Sequence, residues 1–331
     1  MSNATMQAAM AYLSKMQINA FFETTWQTQD ACNSLAARIV GAPVVASAIQ
    51  GATSYTVVPT GNRAGLVVQF RTAENALDVD FLSFVEQAYG SRFVPEHRYY
   101  GDVGDLKVFT MTSIRGVSLY LARQELRADG GALLRTTVRD FAQFCAMAWH
   151  NTPTAMLSPD RAELRENYRS QLQQLRGGLP TPFCDVLGRL LAGLPSLFAP
   201  DWPLVPNHTD LLENNIHVDP DTGHLMGICD WKDAEVSPFG ISIEGLESLL
   251  GHRSSRAWNW VSNHVHLRRH FWDAFAEAWG GLSQRPMCVA SRPQGWLVSS
   301  SGTASNGTNR PERPFPLERG APGSRISGQS S

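Results

Sequence analysis

The sequence predicts a bilobal α+β protein, with a small antiparallel-sheet lobe followed by a larger, mainly helical one. Three observations carry that expectation. Short apolar, β-branched segments cluster before residue 112, helical apolar spacing dominates after residue 113, and one strong hairpin signal interrupts the helices at Asp219-Pro220-Asp221-Thr222-Gly223. The expected organisation is a helical lead-in over 1–29, a strand-rich lobe over 30–112, a mainly helical lobe over 113–283 and a disordered tail over 284–331.

The elements follow in order. Ile49–Val58 reads as strand, loop and strand, with Gly51 as its only glycine. Leu66–Arg71 is a β-branched, apolar strand. Ala76–Tyr89 carries Leu77, Phe81, Leu82, Phe84, Val85 and Ala88 at the spacing of an amphipathic helix. Lys107–Val117 reads as a strand ending in a loop. Thr137–His150, Phe183–Leu194 and Leu267–Trp279 have helical apolar spacing, and the aromatic stripe of the last is expected in the core. Pro153–Pro159 and Gly177–Pro182 read as loops. In 284–331, Ser, Gly, Pro and Arg abound and the apolar period is lost, so too little surface can be buried to offset chain ordering.

Composition narrows the function. The chain has 331 residues, 43% hydrophobic and 18% charged, enough for one large core or two modest ones. A net charge of −2 provides neither a basic field for nucleic acid nor a polybasic patch for a membrane surface. No apolar run reaches the length of a membrane span, and the first residues lack the pattern of a signal peptide. The five cysteines, Cys32, Cys145, Cys184, Cys229 and Cys288, are scattered and form no Cys-x-x-Cys, as expected for thiols in a reducing compartment. A cytoplasmic protein is expected.

The chemistry concentrates at His208-Thr209-Asp210, Asn215 and Asp230. Phosphoryl transfer from a nucleotide needs a carboxylate beside the attacking hydroxyl, and a carboxamide and a second carboxylate to hold divalent metal. Asp210, Asn215 and Asp230 supply these in order. Taken singly, each is as readily a cap or turn residue; the ordered set is not. Strands over Asn214–Asp219 and Gly223–Cys229, joined by the Pro220–Gly223 turn, would bring Asn215 and Asp230 together at the open end of a hairpin. Asp210 is then the expected catalytic base, Asn215 and Asp230 the expected Mg²⁺ ligands, and His208 an anchor for the loop backbone. A metallohydrolase using His208 and Asp210 finds no companion histidine spacing.

These residues resemble the aminoglycoside phosphotransferase and choline kinase-like family, whose fold is protein-kinase-like. The family pattern is His-Gly-Asp-Leu, three residues, Asn-Ile, a hairpin and Ile-Asp-Trp-Glu. Here Thr209 replaces the glycine, Cys229 stands before the acid and Lys232 replaces the glutamate. Pro238-Phe239-Gly240 and Gly245-Leu246-Glu247 resemble the fungal branch. The resemblance spans about residues 30–280 and implies ATP as co-substrate. It also implies that the segment with Gly51 and Ser54 covers the nucleotide phosphates and that Arg71 takes the place of a phosphate-binding lysine. An acid on the following helix, Asp78, Asp80 or Glu86, would pair with that cation. Met111 and Ser113, where the lobes join, would meet the adenine edge through backbone groups.

Two functions remain. The first is an ATP-dependent kinase that phosphorylates a hydroxyl of a small molecule. The second is a pseudokinase that binds nucleotide or metabolite without turnover, favoured by Arg71 and the single glycine of the phosphate loop. A protein kinase is disfavoured, because no Asp-Phe-Gly and Ala-Pro-Glu pair bounds an activation loop. Family acceptor sites for aminoglycosides are acidic, and Glu244 and Glu247 either line such a pocket or face solvent. Acceptor identity, the choice of ATP or GTP, and oligomeric state are not legible.

Overall fold

The computed structural model describes residues 3–61, 65–254 and 257–280. The tail expected over 284–331, and Cys288 within it, lie outside the described residues. Two helices open the chain, α1 (Asn3–Glu23) and α2 (Gln29–Val40). The second was not anticipated, although its ends are well marked. Thr28 caps it by accepting from the Ala31 N–H, and Gly41 closes it in the left-handed region at φ 71°.

A five-stranded antiparallel sheet follows: β1 (Val44–Ala46), β2 (Ser54–Pro59), β3 (Leu66–Thr72), β4 (His97–Val103) and β5 (Leu106–Thr112), in the order β1-β2-β3-β5-β4. β3 lies where the β-branched run predicted it. The strand preceding the phosphate loop is Val44–Ala46, not the segment from Ile49; residues 47–53 form a loop because Gln50 turns inward. Its Nε2 donates to the Thr56 carbonyl at 2.7 Å and its Oε1 accepts from the Thr56 N–H at 2.9 Å, taking the place of a strand neighbour. Cys32 and Ala36 of α2 and Phe21 of α1 pack with Tyr55, Val57, Val68, Phe70, Leu106 and Val108 in a small core of their own.

α3 (Val79–Tyr89) joins the lobes. It starts three residues later than its apolar spacing suggested, because Asp78 accepts from the Phe81 N–H and so acts as the cap. Its buried face, Leu82, Val85, Ala88 and Tyr89, belongs to the large-lobe core. Tyr89 stacks on Phe144 at 4.4 Å, lies 5.1 Å from Trp231 and donates its hydroxyl to the Pro206 carbonyl.

The large lobe begins with β6 (Val117–Ser118) and α4 (Leu119–Arg127) and continues with α5 (Ala132–His150), α6 (Arg161–Gly178) and α7 (Thr181–Leu197). Then come β7 (Leu204–Asn207), β8 (Ile216–Val218), β9 (Leu225–Ile228) and β10 (Glu235–Pro238), followed by α8 (Gly245–Leu250), β11 (Gly251–Arg253), β12 (Trp258–Trp260) and α9 (His264–Ala278). β6, β8 and β9 form one small antiparallel sheet, while β7 pairs with β10 and β11 with β12. α6 was not anticipated, although Leu164, Tyr168, Leu172 and Leu175 recur in it at helical spacing; none of its residues is buried. It runs into the loop expected at Gly177–Pro182. α5 and α9 pack side by side and bury Phe141 against Phe271. Among the described residues no helix is long and apolar enough to cross a membrane.

The expected hairpin forms. The Gly223 N–H donates to the Asp219 carbonyl, and the Asp219 carboxylate accepts from the N–H groups of Asp221 and Thr222. Gly223 is required twice over: its φ is 73°, and a Cβ there would lie 2.3 Å from the Leu133 carbonyl oxygen. A buried carboxylate on α5 docks the hairpin. Asp140 Oδ2 accepts from the Leu225 N–H at 3.2 Å and lies 2.8 Å from His224 Nδ1 and 3.3 Å from Arg92 Nη2.

Two predictions follow from this packing. Asp140→Ala leaves the buried Leu225 N–H without its acceptor and should cost about 1–3 kcal/mol in urea unfolding with an unchanged m-value. The second concerns His97 on β4. Burial pushes its imidazole down to about 4, opposed by a backbone hydrogen bond at Pro95 and assisted by the Arg71 charge. The unfolded ring takes its proton near 6.5, so between those values the unfolded chain holds more protons. The unfolding midpoint should therefore fall as pH drops from 7 toward 4.5, and fall less steeply in His97→Gln.

Candidate active site

The site is built around one buried ring. His208 follows β7 directly and is 2% exposed. Its Nδ1 accepts from the Asp210 N–H at 3.1 Å, which puts its proton on Nε2, and Nε2 donates to the Cys229 carbonyl at 2.9 Å. Burial holds its pKa below the ordinary value, against the opposing influence of the Cys229 hydrogen bond and the nearby Asp230 and Asp210. The ring thus ties the loop carrying Asp210 to the strand end carrying Asp230, and its role is that of an anchor. Trp231 packs edge-on against it at 4.8 Å.

Beneath it lies a network that sequence reasoning missed. Asn207, 1% exposed, donates Nδ2 to Ser237 Oγ and to the Pro238 carbonyl, and its Oδ1 accepts from the N–H and Oγ of Ser242. Ser242 Oγ in turn accepts from the His208 N–H. The partners are 30 to 35 residues apart in sequence, so no local pattern betrayed them.

Asn215 leads into β8. Its Nδ2 donates to the Asp210 carbonyl at 2.8 Å, and its own carbonyl accepts from the Cys229 N–H at 3.0 Å. The next pair, Ile216 and Ile228, is in register, so Asn215 and Asp230 stand together at the open end of the hairpin, with Asp210 on the loop feeding it. With Nδ2 committed, Asn215 Oδ1 turns the other way, within 3.9 Å of Cys229 Sγ. Asp230 is the single non-glycine residue with positive φ, 61°, among those described. Thr209 therefore has no left-handed strain, and a side chain fits where the family pattern has glycine. The Thr209 hydroxyl donates to the Asp233 carbonyl. α4 braces the loop from outside, through an ion pair between Arg123 and Glu213 and through the Tyr120 N–H donated to the Glu213 carbonyl.

Arg71 closes the site from the small lobe. It stands one residue before the end of β3, is 2% exposed, and reaches Asp230 Oδ1 with Nη2 at 3.7 Å. Burial lowers its pKa, and the charges of Asp230 and Asp233 counter that. Nε donates to Gln69 Oε1 at 2.6 Å and Nη1 to Thr53 Oγ1 at 3.2 Å. None of the three helix acids is its partner: Asp78 caps α3, Asp80 is exposed, and the partly buried Glu86 has Glu96 as its charged neighbour. The carboxylate that meets the cation comes instead from the hairpin, because Arg71 points across the lobe junction.

Gly51 lies in the loop before β2, and Ser54 is the first residue of that strand. Ser54 is in register with Arg71, and a Cβ at Gly51 would sit 3.0 Å from Ser54 Oγ. Met111 pairs with Val67 on one side and His97 on the other, so its backbone belongs to the sheet. The Ser113 N–H donates to the Gly65 carbonyl, leaving the Ser113 carbonyl as the backbone group to offer a ligand. Glu247 lies outside the site, fastened by both oxygens to Arg268 of α9, while Glu244 is exposed.

The donor set suits a hard divalent cation: one exposed carboxylate, and one amide oxygen oriented by its own nitrogen. Among the described residues no group of three His, Cys, Asp or Glu side chains stands at metal-binding spacing. A cation here would therefore complete its shell with water or phosphate oxygens.

Comparison with known proteins identifies the family. No curated protein matches the chain significantly. Solved structures similar to it include the macrolide 2′-phosphotransferase MphH from Brachybacterium faecium, at 16% identity over 78% of this chain and 84% of that one, with a TM-score of 0.45. A putative aminoglycoside phosphotransferase from Ralstonia eutropha is similar at 10% identity over 77% and 81%, with a TM-score of 0.47. A thermostable mutant of aminoglycoside phosphotransferase APH(4)-Ia, in ternary complex with ADP and hygromycin B, is similar at 15% identity over 75% and 84%, with a TM-score of 0.42. The model of the phosphotransferase enzyme family matches residues 57–241, which include Arg71, Asp210, Asn215 and Asp230. That match covers more than half of the chain, and the protein belongs to the phosphotransferase enzyme family.

Proposed function

We propose that this phosphotransferase moves the γ-phosphoryl group of ATP to a hydroxyl of a small molecule. The observation that carries the reading is the convergence of Asp210, Asn215 and Asp230 at the open end of one hairpin, with Arg71 facing Asp230 across the lobe junction. Residues 30–112 act as the nucleotide-phosphate lobe in this reading, and 113–283 carry the catalytic loop and the acceptor. The thiols of Cys32, Cys145, Cys184 and Cys229 suit a cytoplasmic setting.

Asp210 orients the acceptor hydroxyl and takes its proton as the oxygen attacks phosphorus. Its position is fixed from behind, because its N–H is donated to His208 and its carbonyl accepts from Asn215. Asn215 Oδ1 and the Asp230 carboxylate would hold Mg²⁺. When bound, Mg²⁺ neutralises charge on the phosphate oxygens. Arg71 contributes a buried positive charge toward the phosphates. Its Nη1 bond to Thr53 keeps the phosphate loop with Gly51 and Ser54 close to that charge.

One observation favours the second reading, a nucleotide-binding protein without turnover. Arg71 already pairs with Asp230, so the carboxylate needed for metal is neutralised from within.

The variants Asp210→Asn and Asp230→Ala separate the readings. With Mg²⁺, ATP and a broad panel of hydroxyl compounds, the wild type should release ADP, and Asp210→Asn should lower kcat by roughly 100- to 10,000-fold. Asp230→Ala should also abolish the Mg²⁺-dependent rise in melting temperature with ATP. A nucleotide-dependent thermal shift without transfer to any acceptor would favour the second reading. Equal rates in wild type and Asp210→Asn would exclude Asp210 as the base.

A further inference from the structure

A hollow lies at the connector between the lobes, residues 113–116 between β5 and β6, where it meets β9 and the loop between α3 and β4. It encloses about 200 Å³, and its walls include Arg92, Phe93, Thr112, Ile114, Arg115 and Met226. Backbone geometry builds it. The Phe93 carbonyl accepts from the Ile228 N–H at 2.7 Å, which sets the loop after α3 against β9. The register of β9 slips, since Val218 faces Leu225 while His217 faces Gly227. Met226 therefore has no opposite residue, and its side chain is re-aimed. Gly116, at φ 81°, turns the connector where a Cβ would lie 2.2 Å from the Val218 carbonyl oxygen, and so fixes the backbone beside Arg115.

The hollow is one-sided in charge. Arg92 and Arg115 line it, and no Asp or Glu does. Arg92 is held in place: its Nη2 lies 3.3 Å from Asp140 Oδ2 and its guanidinium stands 4.8 Å over the Phe93 ring, leaving Nε and Nη1 to donate elsewhere. Arg115 is exposed and has no ion pair among the described residues. Thr112 Oγ1 accepts from the Glu96 N–H at 3.0 Å, so its own proton is available to donate. A second hollow, of about 400 Å³, adjoins the first across Arg92 and Met226, but Asp219 lines that one. The unbalanced positive charge is therefore confined to the first.

We infer that this hollow binds a small aromatic or aliphatic acid, with its carboxylate between Arg92 and Arg115 and its apolar body on Ile114 and Met226. Guanidinium forks match the planar carboxylate, and the walls supply donors without a competing acid. The volume is below the roughly 300–1,000 Å³ of sites for larger ligands, so the occupant is about the size of a single ring. The site is distinct from the proposed nucleotide site. None of its lining residues comes from β1, β2, β3 or the loop carrying Gly51. Arg71 is opposite Lys107 and Leu66 opposite Thr112, which puts the connector end of β5 roughly 17 Å from Arg71. An occupant would touch the connector, the loop after α3 and β9 together, and β9 leads from Met226 to Asp230.

The test is calorimetric titration of the full chain with benzoate and with neutral benzamide, which has the same shape without the charge. Benzoate should bind saturably, with a Kd of about 1 mM or below, and benzamide at least tenfold more weakly, as charge-assisted hydrogen bonds require. Arg115→Met should weaken benzoate about tenfold and leave benzamide unchanged, and Arg115→Lys should recover part of the loss. Arg115 is exposed and unpaired, so its replacement should leave the melting temperature as it is. The Met226 methyl resonance, assigned through Met226→Leu, should move as benzoate saturates. Saturating ATP with Mg²⁺ should leave the benzoate affinity within about twofold, as independent sites require. Absence of saturable benzoate binding, equal affinity for benzamide, or an unmoved Met226 resonance would each overturn the inference. So would an Arg115→Met variant that binds benzoate like the wild type, or displacement of benzoate by ATP. None of these results bears on the kinase reading, which the Asp210 and Asp230 variants test separately.

Discussion

The buried imidazole of His208 is the constraint on which the rest of the site depends. It spans two backbone groups 19 residues apart, the Asp210 N–H and the Cys229 carbonyl, and so holds the segments that carry Asp210 and Asp230. The span works only for a neutral ring with one nitrogen as acceptor and the other as donor. Burial supplies that condition by disfavouring the charged form, even with Asp210 and Asp230 nearby. The ring needs support from below in turn, since a buried N–H at residue 208 would otherwise be unpaired. Ser242 accepts that N–H, and Asn207 holds Ser242. The polar atoms of this chain of contacts fix the backbone on which Asp210 and Asp230 stand.

A second constraint concerns charge across the lobes. Arg71 is almost fully buried, so it needs compensating acceptors, and the small lobe provides only neutral ones: Gln69, Thr53 and the Asn75 carbonyl. The negative charge comes from Asp230 of the other lobe at 3.7 Å, and Asp230 is about half exposed. Such a pair is cheap to rearrange, because one member already faces water and the separation exceeds a close contact. A cation and a polyphosphate entering together could take over both partners, the phosphates meeting Arg71 and the metal meeting Asp230. The lobes do not depend on this pair to stay together, since Tyr89 anchors α3 in the large-lobe core through Phe144, Trp231 and Pro206.

How much was legible follows from the same distinction between local and distant causes. The turn at Asp219–Gly223 was readable because its residues set their own dihedral angles and hydrogen bonds, and the convergence of Asn215 and Asp230 followed from it. β3 and the core-facing helices were readable from periodicity. α6 was passed over although Leu164, Tyr168, Leu172 and Leu175 keep a helical period, because polar residues fill the rest of the segment and none of its residues is buried. The loop after β1 was misread because Gln50, a polar residue in an apolar run, is buried to pair with backbone. The partner of Arg71 was sought on α3 and found on the hairpin, 159 residues away, and Asp140, which docks that hairpin from α5, gave no signal. Pairings of that kind are fixed by how elements stack, and a single sequence carries no trace of them.

The backbone contacts of the small sheet hold its hairpin rigidly. Gly116 passes so close to β8 that a Cβ there would lie 2.2 Å from the Val218 carbonyl oxygen, and a Cβ at Gly227 would lie 2.9 Å from Ile114 Cγ2. The Ile228 N–H donates to the Phe93 carbonyl at 2.7 Å, so β9 is held by the loop after α3 as well as by β8. The hairpin is thus pinned along its length: by α5 at its turn, by the connector and the α3 loop at its middle, and by His208 at its open end. The open end bears Asp230, whose side chain is about half exposed. A rigid element fixed at three points can hold Asn215 and Asp230 at constant separation, which is what the proposed phosphoryl transfer would require of them.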